Sequence, residues 1–186
     1  MNGARFVELM DATGMDRMIR RMAHEILERN KGAERLALIG LQTRGVPLAQ
    51  RLVETIQSIE GVRVPMGKLD ITLYRDDWSL ISQNPIVKKS EIGFLLEDKR
   101  VVLVDDVLFT GRTIRAAMDA IMDYGRPLSI QLAVLVDRGG RELPIQPDYV
   151  GLGVSPLSHE RVDVLLREKD DRDAVVLSQR ASDPEP

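Results

Sequence analysis

Val101-Val102-Leu103-Val104-Asp105-Asp106-Val107-Leu108-Phe109-Thr110-Gly111-Arg112-Thr113-Ile114 is the stretch that decides how this chain folds. Four consecutive apolar residues, Val101 to Val104, suit a strand buried on both faces, as in a parallel sheet covered by helices. Two adjacent carboxylates follow, then a short loop with Thr110, Gly111 and Thr113. Apolar residues at helical spacing then run from about Thr113 to Tyr124, and Gly125-Arg126-Pro127 stops them. A helix that starts just after a glycine-containing loop leaves backbone N–H groups unpaired, and glycine lets the main chain approach an anion closely. That is a place for a phosphate. Two aspartates beside it repel phosphate, but they accept hydrogen bonds from sugar hydroxyls or attract a cation. An isolated Asp-Asp pair before a threonine is more often a surface turn with a helix cap; the order of features here points instead to a phosphorylated sugar.

The same strand, loop and helix order recurs upstream. Leu36 to Ile39 is apolar and ends at Gly40, and Pro47 opens a helical stretch to about Ile59. Before it, apolar residues at helical spacing from Met15 to Arg29 form an amphipathic helix, closed by Asn30-Lys31-Gly32. Gly61–Pro65 and Lys68–Tyr74 read as strands, Arg75–Glu91 as a long polar loop that holds Trp78, and Ser129–Val136 as the next buried strand. A Gly-, Pro- and charge-rich loop covers Arg138–Pro147. Val162–Leu166 and Val175–Leu177 read as terminal strands, with a polar tail from Gln179. Helices alternating with strands predict an α/β fold with a mainly parallel sheet and ligands at the carboxyl ends of its strands. No repeat or linker divides the chain, so residues 1–186 are expected to form one domain.

Composition narrows the chemistry. The 186 residues are 44% hydrophobic and 30% charged, the mix of a globular protein, and the net charge of −3 supplies no global attraction to nucleic acid or membrane. There is no cysteine, which excludes disulfides and thiol catalysis. Two histidines far apart in sequence make no His-rich metal site. No apolar run approaches the ~20 residues that cross a bilayer, and arginines and glutamates interrupt the first thirty positions, so a soluble, cytoplasmic protein is expected.

The 101–114 stretch resembles the thirteen-residue signature of the type I phosphoribosyltransferases, which bind phosphoribosyl pyrophosphate (PRPP). By position, the resemblance gives Asp105 and Asp106 the ribose hydroxyls and Phe109, Thr110, Gly111, Arg112 and Thr113 the 5′-phosphate. Leu41-Gln42-Thr43-Arg44-Gly45 is similar to the family's pyrophosphate loop, with Thr43, Arg44 and Gly45 at the leaving group and the Arg44 guanidinium forking onto phosphate oxygens. Asp70-Ile71-Thr72-Leu73-Tyr74-Arg75-Asp76-Asp77 and Leu135-Val136-Asp137-Arg138-Gly139-Gly140-Arg141-Glu142-Leu143-Pro144-Ile145 resemble one branch, the bacterial pyrimidine-operon regulators that are also uracil phosphoribosyltransferases. The likeness runs from about Arg17 to Tyr149.

The resemblance implies a type I phosphoribosyltransferase fold, a mainly parallel sheet flanked by helices under a small hood of terminal segments and loops. The reaction it implies is uracil plus PRPP giving UMP and pyrophosphate, a step of pyrimidine salvage. Mg²⁺ would be carried by PRPP and pyrophosphate rather than by a metal site of the protein. Arg75 would reach the phosphates, or equally would pair in solvent with Asp76 or Asp77, and backbone at Val136, Asp137 and Arg138 would read uracil; Asp137 before Arg-Gly-Gly is also an ordinary turn cap. A homodimer or larger homo-oligomer is implied too. The second implied function is transcription attenuation through pyr leader mRNA. A basic strip of Arg17, Arg20, Arg21 and His24, opposite the apolar stripe of the first helix, is the candidate contact. Basic groups are thinned at Gly140, Gln146 and Leu152, which predicts few phosphate contacts and a shallow salt dependence. Three other readings compete: an RNA-binding nucleotide sensor with incidental catalysis, a PRPP transferase for another base, and a receiver-like phosphoacceptor. The third leaves the Thr110–Thr113 loop without a ligand.

Overall fold

The computed structural model describes residues 6–76 and 89–179. Asp77, Trp78 and the stretch to residue 88 lie outside the described residues, as does the chain from Arg180 onward.

Five strands form a wholly parallel sheet: β2 (Leu36–Leu41), β3 (Met66–Leu69), β4 (Arg100–Leu108), β5 (Ser129–Asp137) and β6 (Tyr149–Gly153), in the spatial order β3-β2-β4-β5-β6. The 101–114 stretch therefore lies at the centre of the sheet. Its period-two alternation divides the apolar interior. Leu36, Leu38, Val102, Val104 and Leu135 join one core with helices α1 (Ala12–Asn30) and α2 (Gly45–Glu60). Ile39, Leu41, Val101, Leu103 and Val134 join the other with α3 (Arg112–Met122). Each fully buried aliphatic side chain contributes about 1.5–3 kcal/mol relative to exposure, so both layers hold the sheet firmly.

A second, antiparallel sheet of three strands is not hydrogen-bonded to the first but packs Met10, Val162, Val164 and Val175 into the core that α1 and α2 share with it: β1 (Phe6–Met10), β7 (Glu160–Leu165) and β8 (Ala174–Gln179), in the order β1-β8-β7. The first and last described strands both contribute to it. Between β7 and β8 sits the one-turn helix α4 (Arg167–Asp170).

The structure corrects several expected boundaries. Gly61–Pro65 is not a strand: its alternation is strand-like, but only the Pro65 carbonyl joins the sheet, accepting from Leu38 N at 3.0 Å. The strand expected over Lys68–Tyr74 ends at Leu69, and Thr72–Tyr74 is a 3-10 turn held by the Asp70 carboxylate, which accepts from Thr72 N at 2.9 Å. β4 does not stop at Val104; it runs on through Asp105 and Asp106 to Leu108. Strands β1 and β6 were not expected.

Arg51 fastens the second sheet to the first. It lies in α2, almost wholly buried, and donates through Nη2 to Glu168 Oε2 at 2.6 Å and Asp173 Oδ1 at 2.7 Å. Burial works against its charge, but the bonds to Glu168 and Asp173 outweigh that and raise its pKa. The Arg51 bond is the main cause that lowers Glu168; at Asp173 burial pushes the pKa up and the bond to Arg51 overcomes it. Carboxylates with depressed folded values contribute stability above their unfolded pKa of about 4 and lose it as pH falls through the folded values. Arg51→Ala takes the close guanidinium away from the buried Asp173 carboxylate and leaves it the Arg167 amide at 2.9 Å and the Arg167 Nε at 3.7 Å, so it is expected to cost about 3 kcal/mol, the low end for a broken buried ion pair, in urea unfolding at neutral pH. The deficit should shrink as the solution is acidified below about pH 4, where the carboxylates are protonated.

Candidate active site

The carboxyl ends of β2, β4 and β5 build the site. Inside β4, Asp106 N donates to Asp105 Oδ1 at 3.0 Å. Asp105 is only 8% exposed. Burial, and then the charge of Asp106, push its pKa well above the usual carboxylate range. After Leu108 the chain turns through Phe109 and Thr110 to Gly111, whose φ of 92° only glycine adopts without strain, and α3 begins at Arg112. Thr110 Oγ1 accepts from Arg112 N at 3.3 Å. A cleft of about 260 Å³ opens here, lined by residues 107–114 together with Arg75 and Asp76. The expected phosphate loop and Arg75 thus share one cavity, although more than thirty residues separate them in sequence.

The Thr43–Gly45 loop lies against the same strand. It follows β2, contains a cis Gln42–Thr43 peptide, and opens α2 at Gly45. Gly45 packs so tightly that a Cβ there would lie 2.2 Å from Val104 O and 3.3 Å from Asp105 Cα. The guanidinium of Arg44 is bonded to Asp170 of α4, through Nη2 at 2.7 Å and Nε at 3.3 Å.

The segment after β5 folds over the Phe109–Thr110 turn. Glu142 N and Leu143 N donate to Thr110 O at 2.9 and 3.2 Å, and Arg141 Nη1 donates to Phe109 O at 3.0 Å. Asp137 caps its own turn, accepting from Gly139 N at 2.9 Å and Arg141 Nη2 at 2.7 Å. Within the group expected to read the base, Val136 is buried in the ladder, Arg138 N donates to Leu108 O at 3.1 Å, and Asp137 O accepts from Val154 N at 2.9 Å. The Arg138 guanidinium lies 3.9 Å above the Phe109 ring, a cation–π contact. Its Nε is buried with no hydrogen-bond partner among the described residues. Arg112, expected at the phosphate, turns its side chain outward to Asp76 at 2.5 Å and Glu142 at 2.6 Å, tying the loop to its two neighbours.

The basic strip on α1 divides. Arg17, Arg20 and His24 are exposed, and Arg20 and His24 line a groove between α1 and α2. Arg21 turns instead to β6, where its Nη2 donates to Val150 O and Gly151 O, each at 2.7 Å, while Nη1 bonds Glu25 at 2.5 Å. Sequence reasoning gave no part to Arg51, Asp170 or Arg141. Asp170 and the acids around it look like a solvated charge run, and only the fold brings them to residues more than a hundred positions away.

Among the described residues no helix is long and apolar enough to cross a membrane, and no group of three or more His, Cys, Asp or Glu is placed to hold a metal ion. Two adjacent carboxylates suit an ion that arrives on substrate phosphates.

A family model described as "Phosphoribosyl transferase domain" matches residues 8–165, beyond the Arg17–Tyr149 span legible in sequence at both ends. "Bifunctional protein PyrR" of Caldicellulosiruptor bescii is 57% identical over 175 residues, covering 94% of this chain and 96% of that protein. The protein of the same name from Deinococcus radiodurans is 57% identical over 169 residues, covering 91% and 92%. Among solved structures, a hypoxanthine phosphoribosyltransferase from Trypanosoma cruzi superposes with a TM-score of 0.70 at 22% identity, covering 94% of this chain and 95% of that one. A hypoxanthine-guanine phosphoribosyltransferase from Bacillus anthracis gives 0.66 at 18% identity, covering 82% and 86%. At those identities the structures speak for the fold alone. The curated relatives say more, because they match more than nine-tenths of the chain at over half identity: this chain belongs to the PyrR family of type I phosphoribosyltransferases.

Proposed function

We propose that the site transfers the 5-phosphoribosyl group of PRPP to uracil, giving UMP and pyrophosphate, and that the same chain regulates pyrimidine-operon transcription. The observation that carries the enzymatic reading is the shared position of the Asp105–Asp106 pair, the Gly111-turned start of α3 and the Gly45 loop at the carboxyl end of β4. Backbone N–H groups at the start of α3 receive the 5′-phosphate, and the aspartates accept from the ribose hydroxyls. The Thr43–Gly45 loop, with Arg44, and Arg75 meet the pyrophosphate. Uracil lies at the carboxyl end of β5 beside Arg138, where Phe109 stacked under Arg138 supplies an apolar wall.

The C–O bond to pyrophosphate weakens ahead of bond formation to the base, so positive charge grows on the ribose ring and negative charge on the leaving group. Donors aimed at that developing charge lower the barrier most. Arg44 and Arg75 serve the leaving group; Asp105 and Asp106 face the sugar. Asp105 and Asp106 are the carboxylates that would hold a Mg²⁺ arriving with PRPP, and such an ion would further neutralise the leaving group. Incubating the protein with PRPP, Mg²⁺ and each of the five common bases tests the assignment. UMP from uracil alone is expected; transfer to a purine, or to no base, overturns it.

For the regulatory role we place leader-RNA contacts on Arg17, Arg20 and His24, doubled across a homodimer, and give Arg21 to the packing of α1 on β6. Replacing Arg20 and His24 together is expected to weaken binding of labelled pyr leader RNA at least about tenfold at low salt with unchanged thermal stability. Arg21→Ala should lower the melting temperature. Undiminished RNA affinity in the Arg20/His24 variant contradicts the placement.

A further inference from the structure

α4 lies between two hood strands in sequence, yet every acidic side chain that it and the following turn direct inward binds an arginine of the α2 region. Glu168 and Asp173 hold the buried Arg51. Asp170, four-fifths buried at its side chain, holds Arg44. The two contacts differ in what they serve. Arg51 is enclosed beside Met15 and reaches no cleft of the active site, whereas Arg44 belongs to the loop whose next residue, Gly45, touches the backbone of Asp105.

We propose that Asp170 is the positioning residue for Arg44: its carboxylate, fixed on α4, takes the Nε and Nη2 side of the guanidinium and so turns the Nη1 end toward the pyrophosphate. This rests on the reading of Thr43–Gly45 as the pyrophosphate loop. Three features support a fixed holder rather than a chance surface pair. Asp170 Oδ2 also accepts from Leu166 N at 2.9 Å, so the carboxylate is oriented before Arg44 arrives. The Arg51 bonds to Glu168 and Asp173 on either side of Asp170 anchor its helix to α2, the helix that begins directly after Arg44. The contact is two-pointed, which fixes the plane of the guanidinium as well as its place. Burial pushes the Asp170 pKa up, but the Leu166 amide and Arg44 outweigh it and hold the carboxylate ionised.

An arginine held this way has lost the rotamer freedom it would otherwise lose on meeting its ligand. Asp170 never touches substrate; it acts through Arg44. Asp170→Asn keeps an oxygen for the Leu166 amide and removes the charge that orients Arg44. In the full-length protein, Asp170→Asn is expected to lower kcat/KM for PRPP about 5–20-fold and to weaken binding of Mg²⁺-pyrophosphate by a similar factor, with UMP affinity within about twofold of wild type. Asp170→Glu should recover part of the loss. In an Arg44→Ala background the same substitution should change kcat/KM less than about twofold. Arg161→Gln, which breaks an exposed hood ion pair with Asp163 at 2.7 Å, serves as the control and should leave both readouts unchanged.

If the wild type turns over uracil and binds pyrophosphate but Asp170→Asn matches it, or improves on it, Asp170 does not position Arg44. Equal losses in the wild-type and Arg44→Ala backgrounds also overturn the proposal, since the effect then bypasses Arg44. A wild-type protein that neither binds pyrophosphate nor consumes PRPP overturns the reading of the loop itself, and the positioning role with it.

Discussion

Asp105→Asn is expected to lower kcat/KM for PRPP by roughly 5- to 150-fold, the effect of about 1–3 kcal/mol for a lost contact between a charged group and a hydroxyl, while leaving the fold at least as stable as wild type at neutral pH. The two halves of this expectation come from the same geometry. Asp105 lies inside the central strand at 8% exposure beside Asp106, and burial first, then the neighbouring charge, raise its pKa well above the ordinary value. A raised folded pKa means that the native protein holds the proton more tightly than the unfolded chain does. Its stabilising contribution is present below the unfolded value and is lost as pH rises through the folded one. Asparagine removes that loss and can still accept from Asp106 N with its side-chain oxygen. Catalysis runs the other way, because a carboxylate accepts from ribose hydroxyls best when ionised. The wild-type rate should therefore rise with pH through the raised pKa of Asp105, and this acid limb should be absent from the variant. Parallel pH–rate profiles for the two proteins would remove Asp105 from the ribose subsite.

Gly45→Ala has the largest expected effect of any single methyl group. A Cβ at this position would stand 2.2 Å from the carbonyl oxygen of Val104. That oxygen belongs to the central strand, so no side-chain rotation relieves the clash. Either the loop carrying Arg44 moves away from Asp105 or β4 does. Displacing one half of a two-part site by about 1 Å costs on the order of 100-fold in rate, so at least that loss in kcat/KM is expected, with a lower melting temperature. Gly93→Ala is the matched control, for nothing lies within 4 Å of its would-be Cβ. Near-normal kinetics in Gly45→Ala would mean that the 43–45 loop does not meet the substrate.

The centre of the fold could be read from sequence because it consists of short apolar runs punctuated by glycine. Val101–Val104 and Leu36–Ile39 became adjacent parallel strands, and helix starts followed each loop. The edges were harder. Tyr149–Gly153 is a five-residue strand with two glycines, which carries little strand signal of its own and pairs because β5 already stands beside it. Gly61–Pro65 shows the converse, an alternating pattern that finds no ladder. Side-chain partners across the fold were hardest. The helical wheel placed Arg21 on the solvent face of α1, correctly for its Cα, but a long guanidinium side chain reaches around to two β6 carbonyls. The acids after Leu166 gave no sign that Arg44 and Arg51 lie opposite them. Such contacts depend on how two sheets pack, and no local spacing encodes that.

The most direct test of the central claim is difference electron density for UMP in crystals of the protein. The 5′-phosphate is expected at the backbone amides of Thr110–Thr113 in the cleft beside Arg75, with the ribose hydroxyls within hydrogen-bond distance of Asp105 and Asp106 and the base at the carboxyl end of β5, beside Arg138 and Phe109. Density for the nucleotide elsewhere, such as the groove between α1 and α2 that Arg20 and His24 line, with the carboxyl end of β4 empty, would contradict the claim.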